Sequence, residues 1–134
     1  MVQIEERVAG QAAILAVSGD ITMGGGSRVS DAVRALLRDG RYHFVLDMTR
    51  VRYVDSVGLG ELVEAYAAVK NRGGALKLMH VGRRLRDLLV VSRMLTVFDA
   101  YDSEDDALAS FTRHPLPGET RKERGSRAVS GKPA

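Results

Sequence analysis

A single serine, Ser56, stands between an aspartate and the glycine-bearing first turn of a patterned helix, in the run Tyr53-Val54-Asp55-Ser56-Val57-Gly58-Leu59-Gly60. A hydroxyl in that position can cap the helix, or it can accept a phosphate, whose charge of roughly −1.5 to −2 at neutral pH suits a helix N-terminus. Asp55 opposes such a phosphate and is equally able to cap. Gly58 and Gly60 each cost a helix about 1 kcal/mol relative to alanine. Bare backbone at those two positions lets another protein's surface approach Ser56 closely, as a kinase substrate requires. Phosphorylation there alters a binding surface by local electrostatics and leaves the domain folded.

Ser56 is positioned by a strand before it and a helix after it. Residues 42–48 read as a mostly apolar strand, and 51–54 as an extended continuation. From Leu59 the apolar residues Leu62, Val63, Tyr66 and Val69 recur at helical spacing, and 71–74 ends the helix. A serine just past a strand and entering a helix lies where open α/β sheets gather functional groups.

The remaining elements complete one layered domain. Residues 2–8 and 12–18 form two strands joined by a turn at Ala9-Gly10-Gln11, a hairpin that starts the sheet antiparallel. The run 19–26, ending in three glycines, reads as a flexible loop. Ser27 is placed to N-cap a helix carrying Val29, Ala32, Val33, Leu36 and Leu37 on one face, closed by Gly40. Residues 75–80 alternate as a strand, Gly82 precedes a short helix with Leu85, Leu88 and Leu89, and 96–98 reads as a last short strand. Ser103 caps a terminal helix whose acidic first turn complements the helix dipole, with Ala107, Leu108 and Phe111 inward. The expected architecture is α/β, a mixed sheet opened by an antiparallel hairpin and parallel wherever a helix makes the crossover, with about four helices mainly on one side.

Composition narrows the function. The 134 residues, 45% hydrophobic and 28% charged, suit one domain with one core. There is no cysteine, which excludes disulfides, thiolate metal sites and cysteine nucleophiles. The start lacks a basic and apolar leader, and the longest apolar run, 12–17, is too short to span a membrane, so a cytoplasmic location is expected with no membrane contact. The net charge of +3 comes from the tail: residues 1–114 hold fifteen basic and fifteen acidic residues, residues 115–134 five and two. The expected domain is therefore 1–113, followed by a disordered basic tail over 114–134, and no direct nucleic-acid binding is expected.

Rival sites carry less chemistry. His43, His80 and His114 are scattered and pair with no carboxylate at ligand or triad spacing, so neither a metal nor a catalytic residue is expected. The loop Gly24-Gly25-Gly26-Ser27 matches neither glycine fingerprint for nucleotides. Asp47 at a strand end suggests a phosphoacceptor aspartate, but Asp20 stands alone where a receiver needs an acidic cluster for magnesium. Arg83, Arg84, Arg86 and Arg93 read as a solvated helix face.

The chain resembles a STAS domain, specifically the bacterial anti-sigma factor antagonist family. The resemblance rests on Gly19-Asp20-Ile21-Thr22, on the 53–60 motif, on Gly73-Gly74 before the next strand, and on Val97-Phe98 leading to the Ala107-Leu108 helix. It covers about residues 2–112. The resemblance implies a non-enzymatic, cofactor-free protein that, when unphosphorylated, binds an anti-sigma factor serine kinase of the histidine-kinase-like ATPase type and so frees a sigma factor. The kinase, which holds the ATP, phosphorylates the motif serine, and a separate phosphatase reverses it. Carried onto this sequence, Ser56 is the phosphoacceptor, with Asp20, Thr22, Asp55, Val57, Gly58 and Gly60 in the partner-binding surface.

Two positions depart from the family pattern. Thr22 stands where Asp is common, which thins the acidic rim, and Val57 stands where a hydroxyl is frequent, which leaves Ser56 the only acceptor in the motif. STAS-like domains also serve transporters, so an accessory subunit of a lipid or anion transport system is the alternative. A small-ligand sensor using the glycine loop ranks last.

Overall fold

The computed structural model describes residues 2–25, 27–94 and 97–113. Strands β1 (Gln3–Ala9) and β2 (Ala12–Ile21) form the antiparallel hairpin, with Ala9 opposite Ala12 across the two-residue loop. Next come α1 (Arg28–Arg38), β3 (His43–Val54), α2 (Ser56–Asn71), β4 (Ala75–Met79), α3 (Arg83–Val91), β5 (Asp99–Tyr101) and α4 (Glu104–Ala109). The five strands lie in the order β1-β2-β3-β4-β5, and every pair after the hairpin is parallel.

That order dictates where the helices go. From β2 to β5 each strand is added beside the one before it, and right-handed crossovers in a single direction deliver their helices to the same face of the sheet. Accordingly Val29, Val33 and Leu37 of α1, Leu59, Leu62, Ala65 and Val69 of α2, and Leu85 and Leu89 of α3 share the main core with Leu15, Phe44, Leu46, Leu76 and Leu78 of the strands. The alternate strand residues Ile14, Val45, Ala75 and Met79 pack on the opposite face against Ala107 and Phe111 at the C-terminal end. Side chains on successive strand residues point to opposite faces, so the central strands bury residues on both sides, mostly apolar ones.

Three expectations need correction. Residues 19–21 are not loop: β2 continues to Ile21 beside β3 through two register shifts, one between Gly19 and Asp20, and Gly19 adopts φ +99°. Glycine takes up that left-handed φ without strain, and the irregularity hides the strand from alternation counting. Segments 42–48 and 51–54 are one strand, β3. The last strand is Asp99–Tyr101, not 96–98. Val97 and Phe98 form a turn and a bend, with Phe98 buried edge-on to Tyr66 at a centroid distance of 5.4 Å, while Thr96 lies outside the described residues. The tail from 114 onward, including His114, also lies outside them. No helix among the described residues is long and apolar enough to cross a membrane.

Candidate functional site

Asp55 takes the capping role at the start of α2. Its backbone is extended, its Oδ1 accepts the N–H of Gly58 at 2.7 Å, and its carbonyl accepts that of Leu59 at 2.8 Å. The other carboxylate oxygen accepts the N–H of Met23 at 3.3 Å, and the Asp55 N–H donates to Ile21 at the same length. One aspartate therefore fixes both the helix start and the end of β2. With the cap supplied by its neighbour, Ser56 occupies the first helical position, exposed, and its hydroxyl makes no hydrogen bond among the described residues.

Gly58 and Gly60 serve different ends. A Cβ on Gly58 would lie 1.8 Å from the Ile21 carbonyl oxygen, so helix and strand can approach this closely only over glycine. Gly58 is buried, and the close approach expected of another protein is made here by the chain itself. Gly60 is exposed, and a Cβ there would meet nothing within 4 Å, so the fold does not explain it.

Two exposed apolar side chains flank the motif. Val57 is 53% and Met23 73% exposed, unusual values for such residues beside a polar motif. Thr22, Met23, Val57, Gly60 and Glu64 line a shallow depression of about 560 Å³. Asp20 does not line it and pairs with Arg52 at 3.1 Å. Of the residues expected to form the surface, Thr22, Val57 and Gly60 thus share one depression, Asp55 anchors its edge, Asp20 is engaged nearby, and Gly58 lies beneath.

Glu61 also borders this depression and was not anticipated. Its Oε2 accepts the N–H groups of Val29 at 2.7 Å and Ser30 at 3.2 Å, the second and third positions of α1. Those are the donors an N-cap side chain normally satisfies. Ser27 precedes the helix as expected but its side chain does not cap; its hydroxyl donates to Asp31. Burial pushes the Glu61 carboxyl above the usual glutamate range, against the lowering effect of the Ser30 and Val29 N–H bonds. The only sequence signal was an acidic residue next to Leu62 on the inner face of α2.

The rival groups are occupied structurally. Asp47 accepts both the N–H and the hydroxyl of Thr49. His43 is buried and stacks on Phe111 at 4.5 Å. Arg84 is not simply solvated, since its guanidinium carbon lies 5.4 Å from the centroid of the Tyr53 ring. Among the described residues no group of His, Asp or Glu is arranged to hold a metal ion.

Fold and site define a small α/β domain that carries an exposed serine at the junction of its central strand and its longest helix. The chain belongs to the STAS domain family: the family model described as "Mlab, STAS domain" matches residues 4–98. An anti-sigma F factor antagonist from Paenibacillus polymyxa is 29% identical over 100 residues, 71% of this chain and 82% of the relative. An anti-sigma factor antagonist from Mycobacterium paratuberculosis is similar in structure, with a TM-score of 0.70 at 23% identity over 82% of this chain and 93% of that one. The phosphorylated form of the Bacillus cell fate determinant SpoIIAA gives 0.63 at 14% identity, covering 82% and 98% of the two chains. A sulfate transporter family protein from Wolinella succinogenes gives 0.63 at 26% identity, covering 80% and 89%.

Proposed function

We propose that this protein is an anti-sigma factor antagonist that binds an anti-sigma factor serine kinase while Ser56 is unmodified and is released when Ser56 is phosphorylated. The observation that carries this reading is the exposed Ser56 hydroxyl, free of hydrogen bonds among the described residues while Asp55 does the capping. A partner's active site can take that hydroxyl without unfolding α2. The relative from Paenibacillus polymyxa, named for antagonism of an anti-sigma factor, supports the choice of partner.

In the transfer step the Ser56 oxygen attacks the γ-phosphorus of ATP held by the kinase. The new P–O bond forms as the bond to the β-phosphate oxygen breaks, ADP leaves, and the serine proton passes to a base of the kinase. Thr22, Val57 and Gly60 form the contact surface with Asp55 at its edge, and a separate phosphatase hydrolyses the phosphoserine. Asp20, drawn to Arg52, lends charge at its margin. The kinase supplies the nucleotide site, so this chain needs no cofactor of its own.

Incubation with an anti-sigma kinase from the same genome and ATP, followed by mass spectrometry, tests the reading. Phosphate confined to Ser56 is expected; phosphate elsewhere, or none with every candidate kinase, refutes it. The likeness to a sulfate transporter family protein favours a second reading, an accessory subunit of a lipid or anion transport system. Co-purification with a membrane transporter, unaffected by Ser56→Asp, is the outcome that selects it.

A further inference from the structure

We propose that Arg84 is the receptor for the phosphate on Ser56, and that phosphorylation moves its guanidinium off the Tyr53 ring. The inference rests on the phosphorylation reading above. Tyr53 precedes Ser56 by three residues, so their Cα atoms are at most about 11 Å apart by chain reach. The Arg84 guanidinium, 5.4 Å from the Tyr53 ring centroid, is held by a cation–π contact at an exposed site. Tyr53, Val54, Arg52, Arg83 and Arg84 line one cavity of about 270 Å³, which places the cations beside the strand end that leads into Ser56.

These cations are not equally available. Arg52 is held by Asp20 at 3.1 Å, whereas neither Arg83 nor Arg84 pairs with a carboxylate among the described residues. The charges on the other side of Ser56 are mostly acidic, with Asp55 adjacent to it, Glu61 and Glu64 on α2 and Asp20 on β2, against the single cation of Arg28 at the start of α1. A dianion three residues beyond Tyr53 draws the guanidinium that already rests on that ring. The planar fork of arginine matches phosphate oxygens, and that charge-assisted pairing outcompetes an exposed cation–π contact. Phosphorylation then changes the surface twice, adding charge at position 56 and baring the aromatic face at 53.

The test places phosphoserine at position 56 by genetic encoding, which bypasses the kinase, and follows the second phosphate ionisation by ³¹P NMR. Native protein is compared with Arg84→Gln and with Arg38→Gln, the latter an exposed residue at the far end of α1. Arg84→Gln is expected to raise the phosphate pKa by about one unit, and Arg38→Gln to leave it unchanged. Equal values in native and Arg84→Gln proteins overturn the proposal. Equal rises in both variants overturn it too, because the effect is then diffuse charge. Failure of every kinase to modify Ser56 refutes the proposed function alone and leaves this measurement standing.

Discussion

The carboxylate of Glu61, in α2, accepts the backbone N–H of Ser30, in the first turn of α1, at 3.2 Å. With the 2.7 Å bond from Val29, it caps a helix that its own preceding serine leaves uncapped. The link couples the helix that begins at Ser56 to the helix that follows the short turn at Met23–Gly25, and Glu61 and Ser27, on its two sides, both line the depression. Glu61→Ala leaves two buried donors unpaired and is expected to cost about 2 kcal/mol. Glu61→Gln keeps an acceptor oxygen and stays within about 1 kcal/mol of native. Urea midpoints at unchanged m-value measure both.

Two carboxylates bend the pH profile in opposite directions. Glu61 has its folded-state pKa raised by burial, so above the ordinary glutamate value of about 4.3 the folded state binds more protons than the unfolded one, and stability falls as pH rises. Glu104 has its pKa lowered by its hydrogen bonds with Arg7, so its contribution is present above the ordinary value and lost as pH falls through the folded one. The Glu104 effect is small, because the pair is largely exposed. The stability difference between native protein and Glu61→Gln is therefore expected to decline with rising pH above about 4.3 and to be flat below it, as chemical denaturation across pH 3–8 measures. A difference independent of pH contradicts this.

The two motif glycines predict opposite outcomes for one substitution. Gly58→Ala drives a methyl group to 1.8 Å from the Ile21 oxygen, and because that atom is backbone the expected loss is about 3 kcal/mol or more. Gly60→Ala meets open space in an exposed helical turn and is expected to gain roughly 0.5–1 kcal/mol. If Gly60 is kept for partner approach, the stabilised variant binds the kinase more weakly. Thermal melts and calorimetric titration separate the two effects.

The elements around Ser56 were legible because periodicity reports them directly. Leu59, Leu62 and Val69 mark α2, and the short hairpin turn fixes β1 against β2. Phe98 misled for a physical reason. It is a buried plug under α2, and the strand that follows it, Asp99-Ala100-Tyr101, is too short and too polar to show alternation. Glu61 and Gly58 were misread or missed because their partners, Ser30 and Ile21, are tens of residues away in sequence. Local pattern identifies which face of a helix turns inward, but not which distant backbone it meets.

Lys77 tests the buried charge in the sheet. It is almost fully buried on β4, and its ammonium donates to Asp99 on β5 at 2.7 Å. Asp99→Ala strands that cation and is expected to cost about 2 kcal/mol, less than for a fully buried pair because the aspartate is 53% exposed. Lys77→Met with Asp99→Ala removes the charge and is expected to recover most of the loss. A double-mutant cycle in urea yields the coupling energy.

Ser56→Asp probes the proposed switch itself. Ser56 is exposed at the first position of α2, where a negative charge interacts favourably with the helix dipole, by about 0.3–1 kcal/mol. The carboxylate disturbs no hydrogen bond of the Asp55 cap, so fold and melting temperature are expected to be preserved or slightly improved. Binding behaves otherwise, because the new charge stands in the chain between Asp55 and the exposed Val57, which with Met23 lines the depression. A kinase that docks there must desolvate that charge, and a loss of at least about 1.4 kcal/mol in affinity, tenfold, is expected in calorimetry. Ser56→Ala is expected to bind as native while accepting no phosphate. Equal affinities for the native, alanine and aspartate forms are the result that removes the switch from the mechanism.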